Sequence, residues 1–247
     1  MTKLSVNVNK VAWIRNGRGG ALPDIREISK ICIEAGCHGI TVHPRDDMRH
    51  ITPDDVETLK ELTESSGVEF NIEGNPFALE KGSYPGFLRL IKIYKPTQCT
   101  LVPDDSNQLT SDHGWDLSGD NSELKEIIEE VSTNRSRVCL FTDTDKLTIE
   151  AAKEIGADRV ELYTGPYAKS FTNGINHDVL DKYSLAEKFA HSVGLKVNAG
   201  HDLNLINLRD FLSTCLIEEV SIGHALISDA LEFGIYETVK KYLKICN

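Results

Sequence analysis

Apolar and polar residues alternate from the start of the chain. Leu4, Val6 and Val8 interleave with Ser5, Asn7 and Asn9, the period-two pattern of a half-buried strand over 4–9. The alternation then breaks. Residues 13–22 carry Asn16-Gly17-Arg18-Gly19-Gly20 and are expected to form a loop whose glycines let the backbone approach a ligand. Pro23 and Asp24 open a helix, with Asp24 as cap or first-turn anion. Ile25, Ile28, Ile31 and Cys32 are its apolar stripe, and Ala35-Gly36 ends it. The β-branched run Ile40-Thr41-Val42 predicts strand 2.

The same rhythm continues along the chain. Thr52 caps a helix beginning Pro53-Asp54-Asp55; Val56, Leu59 and Leu62 face inward, and Gly67 ends it. Strand 3 covers 68–72 and closes on Glu73. Ser83 and Pro85 open a helix through Leu88, Leu90, Ile91 and Ile93, and strand 4 over 99–102 stops at Pro103. Residues 104–119 are polar and long for a plain connection, which predicts a functional loop. A helix over 122–131, a strand over 138–141, a helix over 147–155 and a strand over 160–163 follow. A second long loop is expected to about 175. Then come a helix over 178–192, a strand over 195–198, a helix over 205–212, a strand over 220–222 and one last helix over 225–243. Regular strand–helix alternation argues for a parallel sheet, and eight strands argue for closure. The expected fold is α/β: a (β/α)8 TIM barrel, one domain over 1–247 with extra helical or loop segments.

Composition narrows the partners. With 40% hydrophobic residues the 247-residue chain can bury a full core. Its net charge of −11 argues against nucleic acid and anionic membranes, but not against small anionic substrates. Met1-Thr2-Lys3 leads straight into strand-like sequence, and no apolar run approaches the roughly 18 residues of a span. A cytoplasmic protein without a signal peptide is expected. Cys32, Cys37, Cys99, Cys139, Cys215 and Cys246 form no C-x-x-C pair and read as reduced core residues.

In such a barrel the chemistry gathers at the carboxyl ends of the strands. The residues there are Asn7, Asn9 and Lys10; His43, Arg45 and His50; Glu73; Thr110 in the long loop; Asp143; Glu161; His201; Gly223 and His224. A rim holds a few polar residues by chance, and any single histidine is as readily structural. Four histidines with three acids and an arginine at one end are harder to assign to packing. Gly200-His201 and Gly223-His224 follow strands 7 and 8, where backbone N–H groups commonly bind phosphate, although a glycine there also serves a plain tight turn. Arg18, Arg45 and Arg49 suit a second anion. A metal reading is weaker: there is no H-x-H after strand 1, and His43 and His50 are separated by a proline turn. A serine or cysteine nucleophile is weaker still, with no G-x-S-x-G and no cysteine at a strand end.

These residues resemble a known family. Val6-Asn7, Arg15-Asn16-Gly17-Arg18-Gly19, Gly39-Ile40-Thr41-Val42-His43-Pro44-Arg45 and Arg49-His50-Ile51 are similar to the pyridoxine 5'-phosphate synthases. So are Asn71-Ile72-Glu73, Leu101-Val102-Pro103, Glu161-Leu162-Tyr163-Thr164-Gly165, Leu195-Lys196-Val197-Asn198-Ala199-Gly200-His201 and Ile222-Gly223-His224-Ala225, in order along the chain. The resemblance implies a (β/α)8 barrel that assembles as a homo-octamer and needs no metal or redox cofactor. It implies condensation of 3-amino-2-oxopropyl phosphate with 1-deoxy-D-xylulose 5-phosphate to pyridoxine 5'-phosphate, phosphate and water. By position, His43 and Glu73 would accept protons, His201 would donate one and Glu161 would stabilise a transition state. Asn7, Arg18, Gly223 and His224 would bind the amino-ketone phosphate, and Arg45, His50 and Thr110 the deoxyxylulose phosphate. Two positions depart from the common pattern: Asn9-Lys10, where many members carry Asp-His, and Asp202, where many carry Gly. Asn9 keeps hydrogen bonds for a sugar hydroxyl, Lys10 suits an anion, and Asp202 keeps a backbone N–H for phosphate.

Two other functions compete. A cofactor-free aldolase would need a buried Schiff-base lysine, for which Lys196 is the strand-internal candidate. A catalytically inactive barrel that binds phosphorylated metabolites would tolerate Asn9-Lys10, but not explain why His43, Glu73 and His201 are all present.

Overall fold

The structure is a computed structural model of residues 1–247 that describes every residue except Ser106 and 172–174. In chain order its elements are β1 (Lys3–Asn7), α1 (Asn9–Arg18), α2 (Ile25–Glu34), β2 (Gly39–Val42), α3 (Pro53–Ser66), β3 (Glu69–Gly74), α4 (Phe87–Tyr94), β4 (Gln98–Leu101), α5 (Ser122–Thr133) and β5 (Arg137–Thr142). Then follow α6 (Lys146–Glu154), β6 (Arg159–Tyr163), α7 (Gly165–Ser170), α8 (His177–Ser192), β7 (Lys196–Gly200), α9 (Leu208–Thr214), β8 (Glu219–Ile222), α10 (His224–Phe233) and α11 (Ile235–Cys246). The eight strands pair in sequence order, all parallel, and β8 closes on β1 through Lys3↔Glu219 to Val6↔Ile222. The α/β (β/α)8 barrel expected from the alternation is the fold observed. The extra helices are α1 before α2, α7 before α8, and the α10–α11 pair at the end.

The two faces of the strands divide the molecule. Leu4, Val6, Ile40, Val42, Phe70, Ile72, Leu101, Val138, Leu140, Val160, Leu162, Val197, Val220 and Ile222 are fully or almost fully buried and belong to the main core shared with the helix ring. The alternate residues point into the barrel, where branched apolar side chains are usual. Here they are polar. Ser5 Oγ and Thr41 Oγ1 lie 2.7 Å apart. Thr100 donates to Asn71 at 3.0 Å. Gln98 on β4 reaches across the barrel to Glu219 on β8 at 3.2 Å, and Arg159 donates to Asn198 at 3.0 Å. Each of these pairs satisfies polar groups that burial would otherwise leave without water, which offsets part of their desolvation.

Local signals explain most boundaries. Thr52 and Asp55 form the complete capping box of α3, with Pro53 in its first turn and Gly67 closing it. Asp24 caps α2 by accepting from the N–H groups of Arg26 and Glu27. Three expectations are corrected. Residues 13–22 are not a loop: α1 runs through Arg18 and stops at Gly19. Val11 and Ala12 give it a buried edge, and Arg15 and Arg18 fall in the last turn, where cations favour the helix end. The last helix is two helices, broken at Gly234, whose φ of +77° a side chain would oppose. The expected loop after β6 begins as α7, started by Gly165-Pro166; residues 172–174 of that loop lie outside the described residues. All six cysteines are buried and unpaired. Among the described residues no helix is long and apolar enough to cross a membrane.

Candidate active site

The carboxyl ends of the strands surround a cavity of about 350 Å³. Asn7, Asn9, Lys10, His43, Arg45, His50, Glu73, Thr110, Glu161, His201, Asp202, Gly223 and His224 all line it. Arg18 does not. It is the exposed last residue of α1, carried outward because the stretch is helical rather than a loop folded over the rim. Asp143 is also outside, where it accepts from the Gly114 N–H at 3.2 Å. Lys196 stands exposed at the opposite end, the start of β7, so the aldolase reading loses its lysine.

Strand ends and the first helix hold the base side of the pocket. Asn7 Oδ1 accepts from the Asn9 N–H at 3.0 Å, and Asn9 Oδ1 accepts from the His43 N–H at 2.9 Å. Asn9 therefore fixes the β2 terminus with the oxygen that was expected to face a sugar hydroxyl. Asn16 donates to the His50 carbonyl at 2.7 Å, and Arg15 holds Asp55 at 2.8 Å, which ties α1 to α3 beneath the pocket. His50 Nδ1 accepts from the Ile51 N–H at 2.9 Å, so Nε2 carries the ring proton. Burial, then Arg45, Lys10 and Arg49, pushes His50 down to about 3. It stays neutral and offers an N–H, the form that suits a phosphate oxygen. Burial and the same two arginines lower Lys10, whose ammonium sits 4.1 Å over the Trp13 ring.

His43 and Glu73 are both fully enclosed. Burial drives His43 well below its ordinary value, with Arg45, His50, His201 and Arg49 adding to the effect. It is an uncharged acceptor at neutral pH. Burial, then the charges of Asp104 and Glu219, pushes Glu73 up to about 8, against a weak opposing bond from Ser221. Glu161 is driven upward by burial and then by Glu73 and Glu219. Its Oε2 has no hydrogen-bond partner among the described residues. A Cβ on Gly200 would collide with Glu161 Oε1, so the glycine leaves room for the Glu161 carboxyl where it now stands.

His201 occupies a strained turn. It has φ +88° and Asp202 +59°, conformations costing about 1–3 kcal/mol each for ordinary residues. Thr164 Oγ1 donates to the Gly200 carbonyl at 2.6 Å, while Tyr163 packs edge-on against the imidazole at 5.3 Å and Phe141 lies 6.2 Å away. Nε2 meets Thr110 Oγ1 at 3.1 Å. Gly223 caps α10, whose first turn has no acidic residue and no side-chain cap, and Gly223, His224 and Ala225 line the cavity at this positive end of the helix.

Several pocket residues were not singled out from sequence. Trp13, Phe141 and Ser221 line the cavity. Asp104, just past β4, is buried and holds Arg45; its carboxylate also accepts from Ser111 at 2.9 Å and lies 3.5 Å from His43 Nε2. Its position directly after Pro103 at a strand end was the available signal. A second cavity of about 380 Å³ shares His43, Arg45 and Asp104 and extends to Asn75 and Phe77. Among the described residues no three His, Cys, Asp or Glu side chains converge as a metal site.

Residues 4–247 match the family model described as pyridoxal phosphate biosynthesis protein PdxJ. The chain is 53% identical over 245 residues to pyridoxine 5'-phosphate synthase of Xanthomonas axonopodis pv. citri, covering 99% of this chain and 96% of that one. It is 50% identical over 245 residues to the Xylella fastidiosa protein of the same name, covering 99% and 94%. Among solved structures it is similar to thiamine phosphate pyrophosphorylase from Pyrococcus furiosus, with TM-score 0.63, 15% identity and coverage of 99% and 95%. A tryptophan synthase α-subunit from Pyrococcus furiosus gives TM-score 0.64 at 13% identity, covering 99% and 97%. At such identities these two share the fold alone.

Proposed function

The chain belongs to the pyridoxal phosphate biosynthesis protein PdxJ family, and from that premise we infer how its pocket works. It is an enzyme of pyridoxine 5'-phosphate synthesis. In our reading the pocket condenses 3-amino-2-oxopropyl phosphate with 1-deoxy-D-xylulose 5-phosphate. The amine attacks the ketone to give an imine and water. Enolisation, loss of phosphate, addition of water and aldol-type closure follow, two further waters leave as the ring becomes aromatic, and every step moves a proton.

The observation that carries this reading is the pairing of an uncharged imidazole, His43, with a carboxyl raised toward neutrality, Glu73, whose facing atoms are 3.9 Å apart in a closed pocket. At neutral pH the imidazole is a free acceptor, and the carboxyl exchanges its proton near that pH. We assign both as acceptors, His201 as the donor beside Thr110, and Glu161 as the stabiliser at the pocket floor. The α10 N-terminus at Gly223-His224, with Asn7, takes the amino-ketone phosphate. Arg45, His50 and Thr110 take the deoxyxylulose phosphate. Lys10 adds positive charge between them, and Asp202 offers its N–H. Two anchored phosphates bring the reacting carbons together. Arg18 keeps its assignment to the amino-ketone phosphate only from the resemblance. A homo-octamer and a cytoplasmic location rest on the same resemblance; light scattering of the purified protein tests the first.

Purified protein mixed with both substrates is expected to yield pyridoxine 5'-phosphate by absorbance and mass, and His43→Ala is expected to lose about 10²–10⁴-fold in turnover. Binding of both substrates without product would refute the substrate assignment. A fully active His43→Ala would remove that residue from the chemistry.

A further inference from the structure

We propose that Asp104 is a positioning residue for His43: it fixes the ring proton on Nε2, leaves Nδ1 as the acceptor, and through Arg45 links base strength to arrival of a substrate phosphate. The proposal rests on the assignment of His43 as a base.

The His43 ring lies between two carboxyl groups. Nε2 is 3.5 Å from Asp104 Oδ2, and Nδ1 is 3.9 Å from Glu73 Oε2. Both separations are ones that a small rotation closes to hydrogen bonds, as unliganded catalytic contacts often require. Neither partner is free to drift. The Asn75 amide donates to the Asp104 carbonyl at 2.7 Å, and Asn9 holds the His43 N–H. A neutral imidazole carries one proton, and the ionised neighbour draws it. Asp104 has charge-stabilising donors in Arg45 and Ser111, both on Oδ2. Glu73 has only weak amide and hydroxyl donors, from Asn7, Asn71 and Ser221, each at 3.4 Å. Burial raises Asp104, but Arg45 and Ser111 oppose that rise, whereas burial and the Asp104 charge push Glu73 up to about 8; of the two, Asp104 is the side that gives up its proton first and Glu73 the side that keeps it. Nε2–H faces Asp104, and the Nδ1 lone pair faces Glu73 and the cavity.

The other titratable groups facing His43 are Arg45, Arg49, His50 and His201, and the two guanidinium groups oppose a positive charge on the ring. Asp104 is the counterweight. Arg45 neutralises it and also holds the loop after β4 through the Gln108 carbonyl at 3.3 Å. A phosphate taking up Arg45 leaves more of the Asp104 charge to His43. The base then strengthens when the substrate is in place and stays weak otherwise.

Two measurements test this. In ¹⁵N-histidine spectra of the unmodified protein, His43 is expected as the Nε2–H tautomer; an Nδ1–H tautomer overturns the proposal without any variant. Steady-state profiles of Asp104→Asn, Asp104→Glu and His43→Ala give the second. Asp104→Asn is expected to lower kcat about 10–100-fold with KM for 1-deoxy-D-xylulose 5-phosphate changed less than about threefold. The limb of the kcat profile set by His43 should move to lower pH, and Asp104→Glu should restore most of both. A higher KM with an unmoved limb would make Asp104 merely a structural partner of Arg45. If His43→Ala keeps its activity, the base assignment fails instead, and the tautomer still reports whether Asp104 orients the ring.

Discussion

Strand β3 carries two glutamates four residues apart on the same face, and the barrel treats them oppositely. Glu69, at the amino end, sits between Lys3 and Arg137. Burial pushes it up, but hydrogen bonds from those two cations outweigh burial and hold it below the ordinary carboxylate value. Glu73, at the carboxyl end, has no lysine or arginine partner among the described residues. Burial raises it, and Asp104 and Glu219 raise it further. Both side chains share the same polar interior, so a polar neighbourhood alone does not mark a functional group. The absence of a compensating charge does. At the amino end of β3 the charge of Glu69 is matched and strengthens the barrel. At its carboxyl end Glu73 is left unmatched, and the fold bears that cost to keep a carboxyl that titrates near neutral pH.

The sharpest way to break this division is Glu73→Gln. Turnover is expected to fall about 10²–10⁴-fold. Stability should move the other way. Below pH 4.5 the carboxyl is protonated folded and unfolded, so the substitution changes little. Between 4.5 and about 8 the unfolded chain ionises while the folded one does not, so the native protein loses stability as pH rises. The variant escapes that loss and should gain up to about 3 kcal/mol at pH 7. Denaturant titrations at pH 4, 6 and 8 check it; a variant that is destabilised at pH 8 would mean that Glu73 is compensated after all.

Glu69→Gln is the mirror test, with a smaller effect. Its lowered carboxyl stabilises the fold above pH 4.5, and that stability is lost as pH falls through the folded value. Removing it leaves Lys3 and Arg137 unmatched and should cost about 1–2 kcal/mol at pH 7, with turnover per folded molecule unchanged. Loss of turnover comparable to that of Glu73→Gln would erase the distinction between the two ends.

The sequence made the barrel legible because its signals are local. β-branched runs, Gly stops and the Thr52-Pro53-Asp54-Asp55 start act within a few residues, and the strand ends then point to the rim. Helix α1 was hidden because Gly17, Gly19 and Gly20 crowd its end and its buried edge is only Val11 and Ala12. The break at Gly234 was hidden inside one long run of apolar positions. Asp104 was hidden for a different reason. Its meaning lies in Arg45, which is 59 positions earlier, and only the closed barrel brings the two together. The exposed position of Arg18 likewise depends on a helix where a loop was expected.

Ser221→Ala gives the smallest effect and bears most directly on the comparison. The Ser221 hydroxyl donates to Glu73 Oε1 at 3.4 Å and draws Glu73 downward. A bond that long contributes little, on the order of 0.5 kcal/mol. Removing it should raise the Glu73 limb of the kcat profile by less than about one pH unit. As an acceptor, Glu73 works only when ionised, so turnover at pH 7 should drop about two- to fivefold and recover as pH rises. Folding at pH 7 should weaken only slightly, because the carboxyl is already mostly protonated there. A limb that moved to lower pH would show that the hydroxyl serves the protonated carboxyl as acceptor, and the contrast between the two ends of β3 would then rest on Asp104 and Glu219 alone.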